Sequence, residues 1–222
     1  MGSLAQARSR ILVDTFDKIA KQRGRHAPGR SFIAMRKELV SHQHGVRQRV
    51  IEGEQAFAAV GSAVDRALGR LDDWVKVHDS WWSVGKGVER VYRRGRQALA
   101  AVRRKPTVEY LHERRKQAKY LRYQLDLLRP LAPKALTPLA KRIDRLGDLL
   151  GDDHDLAVLR REVAGDPERF GGPEALEPLL ARIDRRRQKL GHDAVILGRK
   201  VFRDPPQTFG RRLRGYWKAG RD

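Results

Sequence analysis

The sequence predicts an all-α fold of long helices packed antiparallel. Three observations carry that expectation: apolar residues recur at helical spacing along most of the chain, no alternating strand pattern of useful length occurs, and the helical runs are joined by short Gly- and Pro-bearing connections. The chain has 222 residues, 40% of them hydrophobic, long enough to bury a core despite its charge. Lys and Arg number 48 against 27 Asp and Glu, a formal net charge of +21 that must either repel itself or meet a polyanion. The absence of cysteine excludes disulfides, thiolate nucleophiles and Cys-ligated zinc or iron–sulfur sites. No run approaches the ~20 apolar residues of a membrane span. Residues 1–10 lack the apolar segment of a signal peptide, so a soluble, cytoplasmic protein is expected.

The elements follow in order. Leu12, Phe16 and Ile19 set a first helix over about 7–22, broken by the segment Gly24 to Gly29 with Pro28. A second run starts near Ser31 and extends to about Trp74, with Leu39, Val46, Val50, Phe57, Val60, Val64, Leu68 and Leu71 on a broad stripe. Its polar middle, Gln43 to Gln48, is where a break or kink is expected. Residues 75–85 read as a connector with aromatic anchors. A third helix runs from Lys86 to Arg104 and stops before Pro106. Thr107 is an N-cap candidate for the next helix, which places Glu109 and Glu113 near its positive end and reaches Leu128 before Pro130. Another helix begins at Pro133 or Lys134 and continues to Val163. Gly165-Asp166-Pro167 and Gly171-Gly172-Pro173 bound a loop. The last long helix spans Glu174 to Phe202 and ends at Pro205-Pro206, leaving a basic tail expected to dock weakly or fray.

Charge is concentrated. Between Arg93 and Arg122 lie eleven Lys or Arg and two Glu. His112, Arg115, Lys116, Lys119 and Arg122 share one helical face, a row about 15 Å long at ~1.5 Å per residue. Leu111, Ala118, Leu121, Leu125 and Leu128 form a separate stripe that supplies core. Arg93, Arg96 and Arg103 add a second basic row, and Lys141, Arg142 and Arg145 a third. Like charges at i,i+4, as in Arg115 and Lys119, weaken a helix by a few tenths of a kcal/mol each. A solvated basic face is the bland alternative, but so dense and poorly balanced a row favours a polyanion site. Aromatic residues are sparse in these rows, limited to Tyr92, Tyr120 and Tyr123, and the latter two read as packing residues with a wet hydroxyl. The surface is therefore expected to grip phosphates rather than read or stack bases.

Asp152-Asp153-His154-Asp155, with His112, has metal-ligand character and suggests a divalent-metal phosphohydrolase as a lesser alternative. Further ligands are not identifiable, and the acids can instead pair with Arg142, Arg145 or Arg160. No phosphate-binding glycine loop and no G-x-S-x-G elbow occurs. No catalytic residue, metal site or cofactor is expected. His42 and His44 are expected to face solvent, and His26, His78 and His192 are isolated.

Three strings carry a family resemblance. They are Tyr92-Arg-Arg-Gly-Arg96, Leu111-His-Glu-Arg-Arg-Lys-Gln-Ala-Lys-Tyr-Leu-Arg-Tyr123 and Leu146-Gly-Asp-Leu-Leu-Gly-Asp-Asp-His-Asp-Leu-Ala-Val-Leu159. Together they resemble the C-terminal half of a CHAD domain, the conserved-histidine α-helical domain, over about 86–200. The resemblance implies two pseudo-two-fold related helical bundles that bind inorganic polyphosphate in a basic groove, in proteins associated with polyphosphate granules or fused to triphosphate-processing domains. Its basic-helix motif falls on His112, Arg115, Lys116, Lys119 and Arg122. The Tyr-Arg-Arg-Gly-Arg element falls on Tyr92, Arg93, Arg94 and Arg96, and the His-Asp turn on His154 and Asp155. A structural role stays open for Tyr92, Tyr123, His154 and Asp155. The first half departs from the family pattern: no matching basic helix precedes Arg30, and Ala7 to Phe16 resembles the turn that would follow one. A weak internal echo of Leu150–Leu159 in Leu4–Val13 fits that reading.

The expected organisation is an incomplete first bundle and connector over 1–85, a second bundle carrying the basic motif over 86–204, and a basic tail over 205–222. The expected function is non-catalytic binding of long-chain polyphosphate, with Arg103, Lys141, Arg142 and Arg145 extending the site. A homodimer filling the incomplete half is the expected assembly. Nucleic acid is expected only as a weaker polyanion competitor, and a nucleic-acid-binding protein is the main alternative reading. Affinity should fall steeply with salt, and protonation of His112 should make acid pH favour binding.

Overall fold

The computed structural model describes residues 2–21, 30–51, 55–72, 80–104 and 108–220, and the side chains at 10–21, 30–45, 61–70, 80–101 and 112–220. Among these residues there are eight α-helices and no strand. They are α1 (Gly2–Lys21), α2 (Arg30–Ile51), α3 (Gln55–Asp72), α4 (Trp81–Arg104), α5 (Val108–Leu128), α6 (Pro133–Gly165), α7 (Pro173–Val201) and α8 (Pro206–Ala219). The all-α expectation holds. None of these helices is long and apolar enough to cross a membrane.

Local chemistry explains several boundaries. Pro133, Pro173 and Pro206 occupy the first position of α6, α7 and α8, where a missing N–H removes no helical hydrogen bond. Between α6 and α7 the chain makes a 3-10 turn, Glu168–Phe170, that buries Phe170. Gly171 and Gly172 follow at φ 96° and 90°, left-handed values that glycine adopts without a Cβ clash.

The chain packs as two compact units. The first gathers Met1–Lys76 and Asp155–Arg187, the second Val77–His154 and Gln188–Asp222. In the first unit α1 packs on α2. Leu12, Phe16 and Ile19 lie four and three residues apart and are buried together with Val13, as are Phe32, Met35 and Leu39 of α2. The rings of Phe16 and Phe32 stand 5.8 Å apart. Arg36 clamps Asp17 with two hydrogen bonds of 2.7 and 2.9 Å. Arg169 donates to Glu38 at 2.5 Å and lies 3.3 Å from Nδ1 of His42. His42 is thus half-buried against a guanidinium, not solvent-facing as expected, while His44 is exposed.

In the second unit α4 packs against α5 and α8. Tyr92 stacks on Phe209 at 3.9 Å and meets Phe202 at 5.3 Å. Gly95 permits that arrangement, since a Cβ there would lie 2.5 Å from the Phe202 ring. The segment expected to dock weakly is therefore a packed helix, α8, anchored by buried Phe209 and Leu213. Sequence periodicity understated it because only two large apolar residues anchor it among many basic ones.

Three further expectations shift. Helix α2 continues through Gln43–Gln48 to Ile51, so no break falls there. The connector is shorter than 75–85, because α4 starts at Trp81, whose ring lies 6.0 Å from that of Trp217 on α8. The Gly24–Gly29 break, the Thr107 cap, His26 and His78 lie outside the described residues, as do the side chains of Arg103, Leu111 and the apolar stripe of α3 before Gly61.

Candidate functional site

Helix α5 has two opposed faces. Arg114, Gln117, Ala118, Leu121, Leu125 and Leu128 are buried. On the other side His112, Lys119 and Arg122 are exposed, and Arg115 and Lys116 are half-buried. The basic row thus projects from the helix because the leucine stripe behind it fixes the helix's rotation. The predicted core stripe also continues N-terminally into Arg114, which sits seven residues before Leu121. Sequence reasoning missed this residue, although its register was the available signal.

Arg114 is held by structural bonds. It donates to the Ala194 carbonyl of α7. Burial pushes its guanidinium down to about 10, and the negative charge of Asp153 opposes that fall. Asp153 is itself buried on α6, so the pair is a charge compensation inside the unit.

The exposed cations differ in how they are compensated. Lys116 meets Glu113 at 2.7 Å, and Gln117 donates to the same carboxylate at 2.6 Å. These hydrogen bonds hold Glu113 below the ordinary carboxylate range and raise Lys116. The charge of Arg94 on α4 acts on both groups, so Arg94 belongs to the electrostatic surroundings of the α5 row. Arg122 joins Asp144 of α6 and lies 3.6 Å from Asp126. Arg93 pairs with Glu89 at 2.8 Å. His112, Arg115, Lys119 and Arg94 have no ion-pair partner among the described residues. The Arg115 guanidinium extends towards α6, with Nη2 3.9 Å from where a Cβ on Gly151 would stand.

Tyr120 and Tyr123 do not pack inward as expected. They are 45% and 51% exposed, and Lys119 Nζ lies 5.8 Å above the Tyr123 ring. The helical register explains the difference: both tyrosines fall on the basic side, away from Leu121 and Leu125.

The Tyr92–Arg96 string divides by direction. Arg93 and Arg94 are exposed. Arg96 turns inward and donates to the carbonyls of Phe202 and Arg203, each at 3.1 Å, and to that of Asp204. The Tyr92 hydroxyl donates to the carbonyls of Val201 and Asp204 at 3.3 and 3.2 Å. Burial, and then the charge of Asp204, raise Tyr92 and keep the proton this bond requires. Tyr92 and Arg96 thus cap the carboxyl end of α7, where carbonyls lack helical partners.

Lys141, Arg142 and Arg145 are exposed on α6. Arg142 lies two residues from Asp144, hence on a different flank from the contact with Arg122. Arg103 falls within α4. His154 and Asp155 are half-buried, and Asp152, Asp153, His154 and Asp155 each interact with other groups of the protein. Arg160 pairs instead with Asp184, at 2.9 Å. Among the described residues no three His, Asp or Glu side chains converge as metal ligands.

The basic helix, its leucine backing and the capping string all lie within the region covered by a family model, that of the CHAD domain, which matches residues 2–164. The chain belongs to the CHAD family. The match begins in α1 and so includes the first half, which the sequence reading had set apart as departing from the pattern. It ends in α6, short of the 86–200 span over which the resemblance was traced. Searches of curated proteins and of solved structures each returned no match.

Proposed function

We propose that this CHAD protein binds inorganic polyphosphate, without catalysing its turnover, on the exposed face of α5. The observation that carries the reading is the α5 row in a chain of a family that binds polyphosphate generally. Arg115 and Lys119 project opposite a buried leucine stripe, with His112 and Arg94 beside them and none of the four in an ion pair among the described residues. A linear polyanion supplies that compensation and releases its own condensed counterions. Lys116 and Arg122 join when phosphate displaces Glu113 and Asp144, since exposed ion pairs are worth only ~0–1 kcal/mol. Arg93, Arg103, Lys141 and Arg145 extend the basic surface, and association with polyphosphate granules and homodimer formation belong to the same proposal. Tyr92 and Arg96 serve it indirectly, as the cap on α7.

A second reading has one specific support. Two exposed tyrosines beside Lys119 are what single-stranded nucleic acid needs for stacking. A competition titration at about 150 mM salt separates the two. Labelled long-chain polyphosphate is challenged with duplex DNA, single-stranded RNA and inorganic triphosphate at equal phosphate concentration. Polyphosphate outcompeting both nucleic acids supports the proposal. RNA winning moves the function to single-stranded nucleic acid, and equal competition makes the face a generic polyanion sink.

A further inference from the structure

A cleft of about 520 Å³ opens in the second unit among the first turns of α6, the end of α7 and α8. Pro138 and Leu139 give it an apolar side, with Tyr216 beside them and the buried Leu136 and Val201 behind. Arg142, Lys200, Arg203 and Arg212 also line it, and the acid among its lining residues is Asp204. Three of these four cations lie beyond residue 164, outside the family match.

Helix capping does not explain this concentration of charge. Basic residues near a helix carboxyl end are ordinarily stabilised by its dipole. Here Arg96 and Tyr92 already satisfy the carbonyls from Val201 to Asp204. Asp204 is shared by Arg212 at 2.6 Å and Arg203 at 3.3 Å. Burial would raise its carboxyl, but those two guanidiniums more than reverse that and hold it lowered. Arg142 and Lys200 have no ion-pair partner among the described residues. A concavity lined by four cations and one carboxylate, with Arg142 and Lys200 outside any ion pair among the described residues, focuses a positive field inward.

Shape and apolar lining narrow the ligand. An inorganic phosphate chain gains nothing from Pro138, Leu139 or an aromatic ring. The volume lies within the ~300–1,000 Å³ of small-molecule sites, which pair apolar walls with a few charged groups. We infer that this cleft binds an organic phosphate of the nucleoside triphosphate class, its phosphates on Arg142, Lys200 and Arg203 and its ring against Tyr216, Pro138 and Leu139. The inference is independent of the polyphosphate reading.

Equilibrium dialysis of the full chain at about 150 mM salt tests it, with ATP, inorganic triphosphate and adenosine as probes. ATP is expected to bind at least about tenfold more tightly than either fragment, because each lacks one half of the recognition. Lys200→Ala with Arg203→Ala should weaken ATP about tenfold or more, since each removes a charge-assisted contact. Both side chains project into solvent, and circular dichroism checks that the helices persist. Polyphosphate affinity should stay within about twofold, and Arg115→Ala with Lys119→Ala should leave ATP binding unchanged. Failure of ATP to saturate, or equal binding of ATP and triphosphate, overturns the inference. So does loss of ATP binding in the α5 variant, which would place the nucleotide on the basic helix.

Discussion

Replacing Arg115 and Lys119 together by alanine removes two cations that stand in no ion pair among the described residues. Both sit on the solvent side of α5, and the leucine stripe behind them is untouched, so helicity and melting temperature should hardly change. If Arg94, Arg115, Lys116, Lys119 and Arg122 each engage one phosphate, log K should fall with log salt at a slope of about −3.5, using the ~0.7 per contact of a flexible single-stranded polyanion. The double variant should flatten that slope to about −2. Between about 50 and 200 mM salt the parent protein should then lose roughly 100-fold in affinity and the variant roughly 20-fold. At about 150 mM salt the variant should bind roughly 30-fold more weakly, at ~1 kcal/mol per lost exposed charge pair. Fluorescence anisotropy of end-labelled polyphosphate across a salt series reads all of these. An unchanged slope with unchanged affinity would show that polyphosphate does not touch this face. A weaker affinity with an unchanged slope would show that the substitutions act through structure instead.

Three other outcomes follow from the same geometry. Arg96→Gln should lower stability by about 3 kcal/mol, since a charged donor to three carbonyls is lost, while the salt slope for polyphosphate stays as in the parent; a loss of affinity in a fully folded variant would return Arg96 to the binding surface. Arg114→Met should destabilise by about 3–5 kcal/mol, because it removes the bond to the Ala194 carbonyl and the positive charge beside buried Asp153, and adding Asp153→Leu should recover part of it; thermal melts showing no recovery would refute the pairing. Glu113 and Asp204 titrate below their ordinary values in the folded protein, so their stabilisation is present above about pH 4 and lost as pH falls through the folded values. The melting temperature, followed by the fluorescence of the four tryptophans, should drop over that window, and Asp204→Asn should lessen the drop; an identical pH profile in the variant would remove Asp204 from the account.

Much of the fold was readable because helical periodicity is a short-range signal. The run from Val108 to Leu128 carries its own leucine stripe, and the prolines at 130, 133, 173 and 206 mark boundaries that structure respects. What escaped depends on tertiary packing. Helix α8 shows few apolar residues, and Phe209 is buried against Tyr92, more than a hundred residues away in sequence. Tyr120 and Tyr123 were read by residue type, where register relative to Leu121 decides their exposure. The basic row of α5 was legible residue by residue, since i,i+3 and i,i+4 spacing fixes a face. The division within it was not, because Lys116 and Arg122 find acids on their own turn and on α6, while Arg96 finds three carbonyls more than a hundred residues away.

Compensation, more than charge itself, separates the roles of these cations. Arg96 and Arg114 are spent inside the unit on carbonyls and on Asp153, and a soluble polyanion cannot outbid those bonds without unfolding their surroundings. Lys116 and Arg122 hold exposed carboxylates, an arrangement worth so little that a phosphate can replace the acid at almost no cost. Arg115, Lys119 and Arg94 have no ion-paired acid to displace among the described residues. The i,i+4 repulsion between Arg115 and Lys119 is tolerated because Leu121, Leu125 and Leu128 hold α5 in place whatever its outer face carries. A bound phosphate chain relieves that repulsion and adds its own contacts. The helix is therefore held by one face and recruits its ligand with the other, and changes on the outer face should alter affinity far more than fold.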